Sequence, residues 1–107
     1  MQCAQIWLVN FDPSVGHEYQ KVRPAIIVQN TNYITLDSLV TIVPISSKMQ
    51  KKTLLDVVLS PSNQNNMLVQ SLIKVKQISS FDRIRFIKFI GIADALIMEQ
   101  VKSNIKF

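Results

Sequence analysis

Two short apolar runs near the amino terminus constrain the fold of this sequence more than any other feature. Residues 6–9 and 25–28 are uninterrupted runs of four apolar side chains. Runs of this length and composition predict strands that are buried on more than one side. The residues between them include Asp12, Pro13 and Gly16, which favour turns. The first part of the chain is therefore predicted to be two strands joined by a loop.

The rest of the chain continues as short strands separated by turn signals. Residues 39–45 are apolar and β-branched and predict a third strand, and residues 54–59 predict a fourth. Residues 67–78 can form one bent strand or two short ones, and residues 86–92 form another brief apolar segment. Five or more short strands with frequent turns predict a small antiparallel barrel or curled sheet.

The carboxy-terminal segment has the periodicity of a helix. Asp94 is a candidate N-cap, and Ile97, Val101 and Ile105 recur at i, i+4 and i+8, with Met98 beside them. This pattern predicts an amphipathic α-helix whose apolar face packs on the core or forms a dimer contact. The predicted architecture is mainly β, with one α-helix at the carboxy terminus.

Length and composition place limits on function. A chain of 107 residues predicts a single domain over residues 1–107. Twelve Lys and Arg against seven Asp and Glu give a net charge of +5, which favours nucleic acid, an acidic peptide or an anionic membrane surface as partner. With Cys3 as its one cysteine and a single histidine, neither an internal disulfide nor a structural zinc site is expected. No secretion signal or membrane-length apolar run is visible, so we expect a cytoplasmic protein that does not enter the membrane.

The segment between the first two strands carries ionisable groups suited to hydrolytic or phosphoryl chemistry. The guanidinium of Arg23 stays protonated and offers a planar fork of donors that matches phosphate oxygens. The unperturbed pKa of a histidine side chain lies near neutrality, so His17 can accept or donate a proton. Glu18 could act as a base or orient Arg23. Taken singly, each of these residues could equally be an exposed side chain of a loop.

Together with its flanks, this segment resembles the amino-terminal signature of the MazF/PemK (Kid) toxin family. The sequence has IWLV followed by DP, then VGHE, then RPAIIV. The resemblance is specific over residues 6–28, fair over residues 43–47 and degraded over residues 74–82. It implies a Src-homology-3-like barrel and a homodimer with RNA bound across or beside its interface. It also implies an acidic, partly disordered antitoxin that occupies the basic groove and with which the toxin binds DNA.

The resemblance also implies roles for individual residues. Arg23, in the RP dipeptide, matches a principal catalytic residue of the family, which stabilises the charge on a pentavalent phosphorane. Ser46 stands where the family usually has a threonine whose hydroxyl contacts the phosphate, and Ser47 is the alternative. His17 and Glu18 belong to the GHE motif and compete for one proton-transfer task. Many members of the MazF branch carry serine at the position of His17.

Lysines after the third strand extend the predicted RNA-binding surface. Lys48, Lys51 and Lys52 lie in a polar, basic loop predicted at residues 46–52. The side chains of a run of charged residues are usually only solvated, but three lysines beside a phosphate site would also attract a nucleic-acid backbone.

A second pair of lysines lies in residues 71–78, where the side chains alternate. A period of two puts Lys74 and Lys76 on one face of a strand, where they could bind phosphate or serve only for solubility. The Gln-Ile pair that begins at Gln77 resembles the family's fourth signature, so Gln77 is a further candidate RNA contact. Ser79 replaces the usual arginine or lysine, and Lys76 replaces an aspartate of the PemK branch, whose acid/base role is therefore not carried over.

The resemblance implies a metal-independent endoribonuclease toxin without a cofactor. Its substrate would be single-stranded RNA, cleaved by attack of the 2′-hydroxyl to leave a cyclic phosphate and a 5′-hydroxyl. The competing hypothesis is a non-enzymatic protein of the same fold that binds DNA gyrase, as CcdB toxins do, or only its antitoxin. Intact GHE and RP motifs favour the enzyme, whereas Ser79 keeps the alternatives open. The cleaved RNA sequence depends on the shapes of the predicted loops at residues 30–38 and 46–52.

Overall fold

Seven strands and one long helix make up most of the chain in the computed structural model, which describes residues 1–11, 22–34 and 38–105, apart from the side chain of Tyr33. The strands are β1 (Gln5–Asn10), β2 (Val22–Ile27), β3 (Leu39–Ser46), β4 (Val57–Leu59), β5 (Ser71–Ile73), β6 (Ser79–Asp82) and β7 (Phe86–Ile92). The helices are α1 (Thr31–Ile34) and α2 (Ala95–Ile105). Three 3₁₀ turns span Met49–Lys51, Val75–Gln77 and Arg83–Arg85.

The strands form one antiparallel sheet in the order β4-β5-β3-β2-β1-β7. β3 is the centre of the sheet, because it pairs with β2 on one side and with both β6 and β5 on the other. Its sequence LVTIVPI suits this position, since β-branched side chains pack well on both faces of a buried strand. The sheet curls like a barrel, but no described pairing joins its edge strands β4 and β7, so it is not closed. The predicted fold class is confirmed.

Two apolar clusters lie on opposite faces of the sheet, as expected from the alternation of side chains along strands. The first cluster contains Ile6, Ile26, Val43, Ile45, Val57, Leu59, Ile73, Val75, Ala93, Met98 and Val101. The second contains Val9, Ala25, Ile27, Ile34, Val40 and Ile42. Helix α2 covers the first cluster and α1 contributes to the second, so both faces of the central strands are shielded from water.

Helix α2 begins as the sequence predicts. The Asp94 carboxylate accepts a hydrogen bond of 2.9 Å from the backbone amide of Ile97, which satisfies one of the free amides of the first turn. Met98 and Val101 are buried, and Ile97 and Ile105 are half-buried against the first cluster. The predicted amphipathic helix and its N-cap are confirmed.

In the described ranges no helix has both the length and the apolar character needed to cross a bilayer.

The predicted fourth strand and the predicted loop before β3 differ from the structure. Only Val57–Leu59 of residues 54–59 is a strand, because the residues before it form a turn in which the amide of Asp56 donates to the carbonyl of Thr53 (3.2 Å). The loop predicted at residues 30–38 includes the short helix α1.

The prediction that Lys74 and Lys76 share one face of a strand is wrong. β5 ends at Ile73, and the 3₁₀ turn Val75–Gln77 follows, closed by a 2.9 Å hydrogen bond from the amide of Gln77 to the carbonyl of Lys74. The turn is required because β5 and β6 pair with successive parts of the same edge of β3. A period of two therefore does not extend across this segment.

Candidate functional site

The start of β2 and the end of β3 open into a groove with a volume of about 670 Å³. The described pairing of the two strands ends at Ala25 and Pro44, and Arg23 and Ser46 each lie two residues beyond that pair. Both Arg23 and Ser46 line the groove. The fold thus brings together two residues that were selected separately from the sequence.

A row of paired residues across the sheet also lines the groove. Lys88 on β7 pairs with Leu8 on β1, and Leu8 pairs with Pro24 on β2. These three residues line the groove together with Ile45 of β3. Lys88 is exposed, so its ammonium group adds a positive charge on the side of the groove away from β3.

Lys88 was missed in the sequence analysis. The signal was a lone charged residue in the apolar run of residues 86–92. Its neighbours could not be predicted from alternation, because the pairing of β1 with β7 shifts register twice, once between Ile6 and Trp7 and once between Leu8 and Val9. Such irregularities redirect side chains in a way that a strict period of two does not describe.

The Ser46 hydroxyl is held in place by the backbone that follows it. Its oxygen accepts a hydrogen bond of 3.2 Å from the amide of Lys48. A hydroxyl that accepts a backbone hydrogen bond keeps its own hydrogen to donate, so Ser46 can still donate to an anion in the groove. Ser46 is half-buried, whereas Ser47 and Lys48 are exposed, and all three line the groove.

Met67, Leu68 and Val69 form an apolar part of the groove lining, which we call the apolar shelf. Leu68 is 94% exposed and Val69 is 54% exposed, which is unusual for large apolar side chains next to a cationic site. The preceding turn is anchored by the buried side chain of Asn65, whose oxygen accepts hydrogen bonds from the amides of Ser62 (3.0 Å) and Met67 (2.9 Å). The shelf is therefore attached to a defined turn.

The charged residues in the described lining of the groove are all positive. Arg23, Lys48 and Lys88 contribute positive groups, and none of the described residues in its lining is acidic. A concave surface lined by a single sign of charge concentrates oppositely charged ligands. The groove can therefore bind an anion between guanidinium, hydroxyl and ammonium donors.

Several residues selected from the sequence are not among the described residues that line the groove. His17 and Glu18 fall outside the described residues. Lys51 and Lys52 are exposed at the 3₁₀ turn that follows Lys48, adjacent in sequence to the groove but not part of its described lining.

Lys76 and Gln77 are exposed in the 3₁₀ turn that follows β5. Neither belongs to the described lining of the groove. Among the side chains that the structure describes, no three His, Cys, Asp or Glu residues cluster closely enough to hold a metal ion.

Lys74 takes part in a buried ion pair. Its ammonium nitrogen lies 2.6 Å from the Oδ2 atom of Asp56, with the two side chains 14% and 1% exposed. Oδ2 of Asp56 also accepts a hydrogen bond from the amide of Thr53 (2.8 Å), and the Lys74 ammonium donates to the carbonyl of Lys51 (3.1 Å). Lys74 thus ties the loop that follows Ser46 to the end of β5.

The ion pair sets the ionisation of Asp56. Burial alone would raise the pKa of this carboxyl group, but the hydrogen bond from Lys74, the amide of Thr53 and the charge of Lys74 outweigh burial, so the pKa lies below its ordinary value. Asp56 was not among the residues selected from the sequence. Its signal was a lone carboxylate inside the apolar run of residues 54–59.

Comparison with known proteins gives one family and a consistent fold. A family model described as PemK-like, MazF-like toxin of type II toxin-antitoxin system matches residues 2–107. Endoribonuclease PemK of Escherichia coli is 40% identical over 47 residues, which cover 44% of this chain and 35% of that protein. Endoribonuclease MazF9 of Mycobacterium tuberculosis is 28% identical over an alignment of 111 positions, which covers 99% of this chain and 93% of that protein.

Solved structures agree with the described architecture. MazF from Deinococcus radiodurans superposes with a TM-score of 0.79 at 24% identity, over 98% of this chain and 92% of that one. Toxin MazF-mt6 of Mycobacterium tuberculosis superposes with a TM-score of 0.77 at 17% identity, over 94% and 91%. An endoribonuclease in complex with its cognate antitoxin, from Mycobacterial species, superposes with a TM-score of 0.76 at 14% identity, over 98% and 90%. At these identities the likeness shows the fold alone.

Proposed function

The chain belongs to the family of PemK-like, MazF-like toxins of type II toxin–antitoxin systems, and we propose that it is an endoribonuclease that cleaves single-stranded RNA in the groove between β2 and β3. Residues 1–107 would act as one toxin domain. Two relatives found by sequence carry the name endoribonuclease, which supports this activity.

The observation that carries the proposal is that Arg23 and Ser46 line the same cationic groove. The guanidinium supplies a fixed positive charge and paired donors, and the hydroxyl supplies a donor whose oxygen is already oriented by Lys48. Donors that are held in place before the reaction stabilise charge that develops on a phosphate without further reorganisation. Arg23 and Ser46 are accordingly the two residues assigned to the scissile phosphate.

The proposed reaction uses a nucleophile that belongs to the RNA. The ribose 2′-hydroxyl oxygen attacks the adjacent phosphorus, its proton passes to a base, and the bond from phosphorus to the 5′-oxygen breaks as that oxygen takes up a proton. The products are a 2′,3′-cyclic phosphate and a free 5′-hydroxyl. Arg23 stabilises the charge on the phosphorane, so this mechanism is metal-independent. His17 and Glu18 are the proposed proton-transfer residues.

The lysines around the groove are proposed to hold the RNA backbone away from the scissile phosphate. Ser47 and Lys48 line the groove itself, and Lys51 and Lys52 continue from it on the exposed surface. Phosphate contacts of this kind supply affinity without base specificity.

The residues after β5 receive different assignments. Lys76 and Gln77 are exposed and remain candidate RNA contacts. Lys74 is assigned a structural role, because its ammonium group already contacts Asp56 and the carbonyl of Lys51.

The proposed partners follow from family membership and charge. An acidic, partly disordered antitoxin would neutralise the groove, in keeping with a net charge of +5. One structural neighbour is a complex of an endoribonuclease with its cognate antitoxin. We further propose that the protein is a cytoplasmic homodimer.

The proposed function is tested with purified protein and a pool of single-stranded RNA of random sequence in the presence of a chelator. We expect specific cuts whose upstream fragments end in a cyclic phosphate and whose downstream fragments begin with a 5′-hydroxyl. A substrate with a 2′-deoxy sugar at the mapped position should stay intact, because it lacks the nucleophile. Uncut RNA from correctly folded protein would contradict the proposal and favour a toxin that binds DNA gyrase or only its antitoxin.

A further inference from the structure

We propose that the buried ion pair of Lys74 with Asp56 is a positioning element for the Ser46 hydroxyl, which it holds in place through the loop of residues 46–52. This inference rests on the proposed function and adds to it two residues that act on the reaction without contacting the RNA.

Lys74 is hydrogen-bonded to the chain on both sides of this loop. Its backbone amide donates to the carbonyl of Pro44 (2.9 Å), and its ammonium group donates to the carbonyl of Lys51 (3.1 Å). Residues 45–50 are therefore enclosed between two contacts to one residue. This segment includes Ser46, which lines the groove.

Hydrogen bonds within the loop connect its far end to the Ser46 hydroxyl. The amide of Lys51 donates to the carbonyl of Lys48 (3.1 Å), and the amide of Lys48 donates to Oγ of Ser46 (3.2 Å). A continuous series of hydrogen bonds thus runs from Asp56 through the ammonium group of Lys74 to the groove. Release of Lys51 would shift Lys48, and with it the amide that orients the hydroxyl.

The ion pair is anchored in regular secondary structure. Asp56 directly precedes β4, Lys74 directly follows β5, and these two strands pair with each other. The side-chain amide of Asn104 in α2 donates to the carbonyl of Leu55 (2.9 Å), which fixes the chain beside Asp56. Polar groups that strands and a helix support hold a neighbouring loop more precisely than groups on another loop would.

The surroundings of Asp56 favour positioning over stability as the reason for the ion pair. Its Oδ1 atom is buried and has no hydrogen-bond partner among the described residues. An unpaired buried oxygen is unfavourable, and a buried ion pair is often no more stabilising than apolar side chains of similar volume. What the ion pair adds is an ammonium donor fixed beside the carbonyl of Lys51.

Direct contact with a phosphate is the alternative role for Lys74. The described lining of the groove does not include this residue. Its ammonium donors are already engaged by Asp56 and by the carbonyl of Lys51. The geometry therefore favours an indirect role, and the same experiment measures both.

The test uses a double variant in steady-state cleavage of a mapped RNA oligonucleotide. Lys74→Met with Asp56→Leu removes the ion pair without leaving a buried charge, so the protein should fold. We expect kcat to fall about tenfold with little change in KM, because the hydroxyl is less well oriented while the groups that bind RNA remain. Lys102→Met with Glu99→Leu removes the same two charges from the exposed face of α2 and is the matched control. Lys74→Gln with Asp56→Asn, a neutral polar pair, replaces the apolar double variant if that fails to fold.

Amide hydrogen exchange gives a second readout that does not depend on RNA. Four amides donate hydrogen bonds within the loop, those of Lys48, Met49, Lys51 and Lys52. They should exchange faster in the double variant than in the wild-type protein or the control, because the loop has lost its contact with Lys74. An ion pair that serves only global stability would leave these exchange rates unchanged once stability is matched.

The outcomes separate this inference from the proposed function. If the wild-type protein cuts RNA and the double variant matches its control in kcat and in loop exchange, the inference is overturned and the endoribonuclease stands. If KM rises, loop exchange is unchanged and the slope of log affinity against log salt concentration becomes shallower by about 0.7, Lys74 contacts a phosphate and the inference is overturned. If the wild-type protein does not cut RNA, both fail.

Discussion

Ser46 is proposed to take the place of the threonine that the family resemblance implies, and it keeps the hydroxyl. Ser46→Ala removes the hydroxyl donor proposed for the scissile phosphate and should lower kcat about a hundredfold with little change in KM. Ser46→Thr should keep or raise the activity, because the β-methyl group limits rotation about χ1. Single-turnover cleavage of a mapped RNA oligonucleotide measures both variants. An alanine variant with the wild-type rate would remove Ser46 from the site.

Lys74 and Asp56 provide a residue-level test of stability. Lys74→Met leaves a buried carboxylate without its cation and should lower the free energy of unfolding by about 3 kcal/mol. Lys76→Met, two residues away and exposed, is the control and should change it by less than about 0.5 kcal/mol. Urea denaturation followed by circular dichroism measures both values. Equal stability of the two variants would show that the ion pair is not stabilising.

The same ion pair gives stability a defined dependence on pH. Folding lowers the pKa of Asp56 below its ordinary value of 3.8. The ionised carboxylate therefore contributes fully to the free energy of unfolding above pH 3.8, and this contribution is lost as the pH falls through the lower pKa of the folded state. The wild-type protein should therefore lose stability more steeply in acid than Lys74→Met does. Parallel acid-limb slopes for the two proteins would contradict the assigned cause of the shift.

The residues of the site differ in how far the sequence predicts them. Arg23 and Ser46 belong to motifs that can be recognised in the sequence, and the pairing of β2 with β3 places both residues at the same groove. Lys88 depends on a bulged pairing of β1 with β7, which no local pattern encodes. Asp56 and Lys74 form a pair between distant parts of the chain, and only the fold shows that they are close.

Strands and helices are predicted correctly where the pattern of apolar residues is long, and incorrectly where the chain changes direction. The strands β1, β2 and β3 and the helix α2 follow from apolar runs and from an N-cap with i, i+4 spacing. The 3₁₀ turn at Val75–Gln77 interrupts the alternating pattern of residues 71–78, because β5 and β6 both pair with β3. Tertiary pairing overrides the local pattern there.

Gly91 tests the contact between β7 and the turn that carries the apolar shelf. Gly91→Ala would place a methyl group 2.3 Å from the Asn65 carbonyl oxygen, which is backbone and can move only with the turn. We expect a loss of about 1–3 kcal/mol in the free energy of unfolding and weaker RNA binding, because the shelf shifts. Asn63→Ala, exposed in the same turn, is the control. Thermal unfolding and RNA titration that leave Gly91→Ala equal to this control would contradict the packing argument.

At the scale of the whole molecule, the proposed homodimer predicts a definite mass in solution. Sedimentation over a dilution series should give twice the 12.2 kDa mass of one chain at the higher concentrations. A mass of one chain at every concentration would contradict the homodimer.

The measurement that tests the central claim most directly is the single-turnover rate at which Arg23→Ala cleaves a mapped RNA oligonucleotide in chelator. Lys102→Ala, which removes the same charge from the exposed face of α2, is the control. The loss of the charge and donors at the phosphate should slow the Arg23 variant by about a thousandfold, whereas the control should keep the wild-type rate. A folded Arg23→Ala protein that cuts at the wild-type rate and leaves the same ends would contradict catalysis in this groove.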